Sequence, residues 1–175
     1  TKRSSASDEG CIGADELVSV YKPGFASAGP IQIAMKHVMP GDALDRLGSK
    51  AKWIICISNL NNGKPVALHN GLTNSHPVFT GGRWIKAVNH ERAASNLTAT
   101  TGKVYDVILD NPLASSMKVN GVDVAVAGYP VPGMVHPYWG SQKVVQDVQA
   151  RYPDGGFVDV DASRFQHKDG LVSSL

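Results

Sequence analysis

The chain has 175 residues, enough for one domain of ordinary size that buries a core without metals or disulfide staples. Its formal net charge is +2 with Lys and Arg scattered, which excludes a basic nucleic-acid or membrane face, and a hydrophobic content of 42% excludes disorder. Eighteen Gly and ten Pro beside that apolar content point to turn-rich β structure.

Residues 1 to 10, TKRSSASDEG, are polar; they are no signal peptide, and the chain has no apolar run of transmembrane length. They read as the end of a longer chain, a flank ahead of the first apolar segment. From Leu17 onward short strands follow one another: LVSVY, IQIAM, WIICIS, KPVALH, KVYDVILD and MKVNGVDVAVAG, each bounded by Gly, Pro or Asn. HVMPGDAL supplies a Pro-Gly-Asp turn after the second of them. Asn62-Gly63 and Asn120-Gly121 are the strongest hairpin signals, because tight primed turns need the positive φ that Asn and Gly tolerate. After Gly128 the composition shifts, and YPVPGMVHPYWG reads as an extended connector. In SQKVVQDVQARYPDGG a helix is predicted: Ser141 caps it, Val144, Val145 and Val148 line one face, and Pro153 with Gly155 stops it. The expected organisation is a flank over 1–10, an all-β domain over 11–129 and a C-terminal extension over 130–175 whose helix packs on the β core.

Cys11 and Cys56 are too few for a disulfide scaffold and lack zinc-site spacing, so a reducing compartment, or a free reactive thiol, is the simpler reading, and the expected location is intracellular, in the cytoplasm. NLT at Asn96 to Thr98 is formally a glycosylation acceptor, but nothing else argues for secretion. Cys11 directly follows Gly10 in DEGCIGADELV. Most cysteines in soluble chains are small buried hydrophobes. A catalytic one must ionise, which needs a nearby base or positive charge. Six histidines are available, His37, His69, His76, His90, His136 and His167, and a given His in a β domain is more often a surface or satisfied core residue than a catalyst. In GLTNSHPVF, Thr73 and His76 lie three apart in a bend between Asn70-Gly71 and Pro77, where their side chains can converge or simply form a polar turn. In KVYDVILD, Asp106 interrupts an apolar strand on the face of Val104 and Ile108, so it is paired, protonated or functional unless the strand is an exposed edge.

Four segments in order, Gly10-Cys11 with its apolar run, VMPGDAL, LTNSHPV and KVYDVILD, resemble the blocks of the Hint superfamily, the self-cleaving domain shared by inteins and hedgehog proteins. With the tail HPYWGSQKVVQDV, the chain is most similar to the Hint domains found beside von Willebrand factor A domains in intracellular proteins. The resemblance implies an all-β Hint fold, a pseudo-symmetric horseshoe of antiparallel strands with a short C-terminal helical appendage. It also implies single-turnover autoprocessing without a metal or organic cofactor, with the chain's own N-terminal flank as substrate. Water, a small nucleophile or a protein nucleophile would be the acceptor, and neither nucleic acid nor membrane is involved. Cys11 then resembles the nucleophile that attacks the Gly10 carbonyl to give a thioester. His76 resembles the histidine that protonates the leaving nitrogen, Thr73 the threonine that polarises the same peptide, and Asp106 an aspartate that takes or relays the thiol proton.

Departures from the family pattern narrow the activity. The His-Asn pair that ends a splicing intein is absent, Asn120 being flanked by Val and Gly, so splicing is not expected. Ser115 stands where a histidine usually precedes the final strand, and Cys56 falls where hedgehog proteins carry the aspartate that activates a sterol. Two rival functions remain: a degenerate Hint fold serving as an interaction module, and a Cys-His hydrolase acting in trans, although no cysteine-protease signature surrounds Cys11. Cys56 is either a packing residue or, if its Cα lies about 4.4 to 6.8 Å from that of Cys11, half of a disulfide that would gate the nucleophile by redox state.

Overall fold

The computed structural model describes residues 10–24, 28–169 and 171–175, so all of the polar flank except Gly10 lies outside the described residues. The strands in chain order are β1 (Ile12–Gly13), β2 (Leu17–Val20), β3 (Ile31–Ala34), β4 (Ala51–Ser58), β5 (Val66–His69), β6 (Pro77–Thr80), β7 (Arg83–Lys86), β8 (Leu97–Thr100), β9 (Val104–Leu109), β10 (Ser116–Val119) and β11 (Val122–Ala125). Helix α1 (Gln142–Arg151) follows, then β12 (Gly156–Asp161), β13 (Gln166–Lys168) and β14 (Leu171–Ser174). This is a mostly β fold of short antiparallel pairings with one C-terminal α-helix among the described residues.

Two sheets carry most of the structure. One has the order β1-β9-β4-β12, the other β3-β2-β10-β11-β6-β7. A first apolar cluster joins them, with Ile12, Ile54 and Val107 from the smaller sheet against Val18, Val119 and Val124 from the larger. A second covers the other face of the smaller sheet, where Cys11, Trp53, Ile55, Val104 and Ile108 meet Tyr138, Trp139, Val144, Val148 and Phe165 of the tail. Strands β4 and β9 are therefore buried on both sides, which is why WIICIS and VYDVIL read as nearly continuous apolar runs. Each large side chain so covered contributes roughly 1.5–3 kcal/mol of burial.

Turn chemistry decides several pairings. Asn120 and Gly121 take φ of 51° and 76° and close the two-residue β10–β11 hairpin as expected. Asn62 and Gly63 also take positive φ, yet they close no hairpin, because β4 and β5 belong to different sheets and β5 pairs with β8. The Pro40-Gly41 turn forms, with the Asp42 N–H donating to the Met39 carbonyl at 3.0 Å. A further hairpin, β6–β7, turns on Gly81-Gly82. Helix α1 is built as the sequence implies: Ser141 caps it by accepting the Lys143 N–H, and Val144 and Val148 are buried.

The tail also adds a strand. In β12, GFVDVD, the alternation buries Val158 and leaves Phe157 and Asp159 outward, and the strand pairs parallel to β4 from Gly156↔Trp53 to Asp161↔Ser58. A parallel neighbour requires a long return path, which the intervening chain and α1 provide. Gly155 permits the approach, since its φ is 81° and a side-chain carbon there would meet the Lys52 carbonyl oxygen at 2.8 Å.

Candidate functional site

Cys11 stands one residue before β1 and is fully buried, at 0% exposure. The β1–β9 register pairs Ile12 with Tyr105 and Gly13 with Val104. Continued by one residue, it sets Cys11 across from Asp106, and directly opposed residues of an antiparallel pair point to the same face. Asp106 is 3% exposed on a strand with neighbours on both sides, so the edge alternative is excluded. One of its carboxylate oxygens accepts the Val107 N–H at 2.8 Å.

The segment bearing Thr73 and His76 is stitched to the same strand. Gly13 N–H donates to the Gly71 carbonyl at 2.9 Å, Leu72 bridges Ile12, and the Thr73 N–H donates to the Cys11 carbonyl at 3.0 Å. The Cys11 N–H, the hydrogen-bearing end of the Gly10-Cys11 peptide, donates to Thr73 Oγ1 at 2.9 Å. Thr73 to His76 is a tight turn closed by the His76 N–H on the Thr73 carbonyl, so the two side chains converge.

His76, 1% exposed, donates from Nε2 to the Ala125 carbonyl at 2.8 Å; a carbonyl only accepts, so the ring's proton sits on Nε2. Among the described residues its Nδ1 makes no hydrogen bond, and it faces Gly10, where a side-chain carbon would lie 3.6 Å from it. Burial lowers the His76 pKa to about 4, while the backbone of Ala125 and of Cys11 opposes the shift. At neutral pH the ring is uncharged with a bare Nδ1, poised to accept a proton and pass it on. Gly10, His76 and Asp106 line one cavity of about 270 Å³, bounded on another side by Tyr129 and by tail residues including His136 and Trp139.

Four segments far apart in sequence thus converge on one peptide bond. A family model, Vint: Hint-domain, matches residues 29–172. The chain belongs to the Hint-domain family. The matched span includes Thr73, His76 and Asp106; Cys11 precedes it and is tied to Thr73 by a hydrogen bond and to the strand of Asp106 by register. No curated protein matches the chain.

Cys56 does not join this constellation. It pairs with Tyr105 and Asp159, and its neighbours Ile55 and Ile57 belong to the cluster that holds Cys11, so Cys56 points to the opposite face. With β9 between β4 and β1, the two cysteines are two ladder spacings apart, roughly 10 Å, too far for a disulfide. Neither cysteine is in a disulfide among the described residues, and burial pushes the Cys56 thiol up. The disulfide considered from sequence is therefore corrected: WIICIS runs beside the aspartate strand, not beside Cys11. Ser115 lies before β10, where its carbonyl accepts the Val126 N–H. Asn120 is occupied structurally, its amide accepting from the Leu17 N–H and donating to Glu16 and to the Asn70 carbonyl. The sequence reading missed the Ala125 carbonyl, which fixes the His76 tautomer. A backbone acceptor leaves no residue-type signal.

Proposed function

We propose that this Hint domain cleaves its own Gly10-Cys11 peptide by an N-to-S acyl shift, in a single turnover and without splicing. The observation that carries the reading is the grip on that bond: its N–H is held by Thr73 Oγ1 while the bare Nδ1 of His76 faces Gly10. An amide resists attack through resonance and a poor leaving group, so a proton delivered to nitrogen lowers the barrier. In the proposed step Cys11 Sγ loses its proton to Asp106 and bonds to the Gly10 carbonyl carbon. The carbon–nitrogen bond then breaks, and the proton, relayed through His76 Nδ1, ends on the Cys11 nitrogen. One proton moves and none is gained or lost. The products are a Gly10 thioester on Cys11 Sγ and a free Cys11 amine.

The thioester lies uphill of the amide, so an acceptor must trap it. Water gives a Gly10 carboxylate and restores the thiol; an amine or thiol acceptor gives transfer. Action in trans is disfavoured by the complete burial of Cys11, whose sulfur no foreign peptide reaches without unfolding β1. Splicing is disfavoured because Asn120 is committed to three hydrogen bonds that hold a hairpin.

Incubation with dithiothreitol followed by intact-mass measurement tests the proposal. Two products, residues 1–10 and a chain beginning at Cys11, are expected. A chain that stays whole while folded would instead favour the interaction-module reading.

A further inference from the structure

Attack on the Gly10 carbonyl places negative charge on its oxygen, and Cys11, Thr73, His76 and Asp106 are all engaged with the thiol or the nitrogen. That oxygen needs a donor of its own. The cavity that holds Gly10, His76 and Asp106 is completed by the tail, and His136 is part of its wall. His136 Nδ1 accepts two backbone N–H bonds, from Tyr138 at 3.1 Å and from Trp139 at 3.0 Å. A ring nitrogen that accepts two N–H groups carries no hydrogen, so the ring's proton is on Nε2. That Nε2 is buried. His136 is thereby a neutral donor of fixed orientation, which is what stabilisation of a developing oxyanion requires.

The surrounding residues serve to hold this ring. Gly140 N–H donates to the His136 carbonyl at 3.0 Å, Ser141 Oγ donates to the Pro137 and Tyr138 carbonyls, and the buried Tyr138 hydroxyl donates to Asp147 at 2.9 Å. The Trp139 carbonyl accepts the Gly128 N–H at 2.7 Å, anchoring the turn beside the end of β11. The chain from His136 to Asp147 thus forms a rigid bracket, and one end of it is an imidazole in the wall of the reaction cavity.

We propose that His136 Nε2 is the hydrogen-bond donor to the Gly10 carbonyl oxygen in the tetrahedral intermediates of thioester formation and breakdown, a catalytic residue supplied by the tail. The proposal rests on cleavage at Gly10-Cys11. It differs from a structural role for the same ring, because the structural bonds use Nδ1 and the chemistry uses Nε2. Gln can present an amide N–H near the Nε2 position, whereas Phe fills the space without a donor.

The test compares dithiothreitol-induced cleavage rates of the wild type, His136→Gln and His136→Phe in the whole chain, with thermal unfolding measured in parallel. Loss of one oxyanion donor typically lowers rates by about 10²–10³-fold. His136→Phe is expected to fall in that range and His136→Gln to recover at least about tenfold over it, although both variants lose the Nδ1 bonds and share any stability cost. A wild type that cleaves with His136→Phe within about threefold of it overturns the proposal, as does a His136→Gln no faster than His136→Phe. A folded wild type that does not cleave overturns the underlying autoprocessing reading, and this inference falls with it.

Discussion

At His76, burial and the Ala125 carbonyl act in opposite directions on the ring's affinity for a proton, and burial wins. The unfolded chain binds a proton there below about pH 6.5, the folded chain only near 4. Stability is therefore unaffected by this group above pH 6.5 and falls as pH drops through the window, because the unfolded state takes up the proton first. The loss by pH 4 is of order 3 kcal/mol. Denaturant midpoints of wild type and His76→Gln between pH 7 and 4 check this; the wild type should lose stability more steeply. Catalytically, His76→Ala is expected to slow cleavage by about 10²–10⁴-fold and to stay slow at raised pH, since the variant lacks the proposed proton donor to the leaving nitrogen. Asp106→Ala should be milder and recover partly as pH rises, because a thiol also loses its proton to solvent base. Cleavage rates of both variants from pH 6 to 9 decide the assignment; recovery of His76→Ala alone would reverse it.

Among the elements, the β10–β11 hairpin and the His136 turn make separate demands. Asn120→Ala removes the amide that ties β2, Glu16 and the Asn70 turn together, and is expected to cost about 1–3 kcal/mol while leaving the cleavage position unchanged. A thermal melt and intact mass check both halves of that statement. Gly140→Ala would set a carbon 2.9 Å from the His136 carbonyl oxygen and 3.0 Å from its nitrogen, so the bracket must shift. Elements defined by local chemistry were legible in the sequence: the Asn120-Gly121 turn, the Ser141 cap with its valine face, and the bend that converges Thr73 and His76. Asn62-Gly63 misled because its local conformation is right while the choice of strand partner is tertiary. Strand β12 carried a readable alternation in GFVDVD, but its position after a helix and a Pro-Gly stretch concealed a parallel return to β4. The Asp106 face was readable from period two, whereas its burial depended on β1 and β4 flanking β9, which no local pattern encodes.

For the whole molecule, the second apolar cluster joins residues from both sides of Gly128. Cys11, Trp53 and Ile55 are covered by Tyr138, Val144, Val148 and Phe165. The tail and the preceding strands are expected to unfold together, and Phe165→Ala should destabilise the entire chain by about 3–5 kcal/mol in one transition rather than release the tail alone. Calorimetry separates the outcomes. The opposed faces of Cys11 and Cys56 make a second global statement: mild oxidation of folded protein should leave both thiols titratable after denaturation, and Cys56→Ala should not change any sensitivity to oxidant. No helix among the described residues is long and apolar enough to cross a membrane. Hydroxylamine trapping separates a self-cleaving chain from an inert one, because it attacks a thioester but spares an ordinary peptide bond under mild conditions. The folded chain is expected to release residues 1–10 as a hydroxamate at Gly10, leaving a fragment that begins at Cys11, and Cys11→Ala is expected to release nothing. An intact wild-type chain, or release of the same fragment from Cys11→Ala, would contradict the proposed acyl shift.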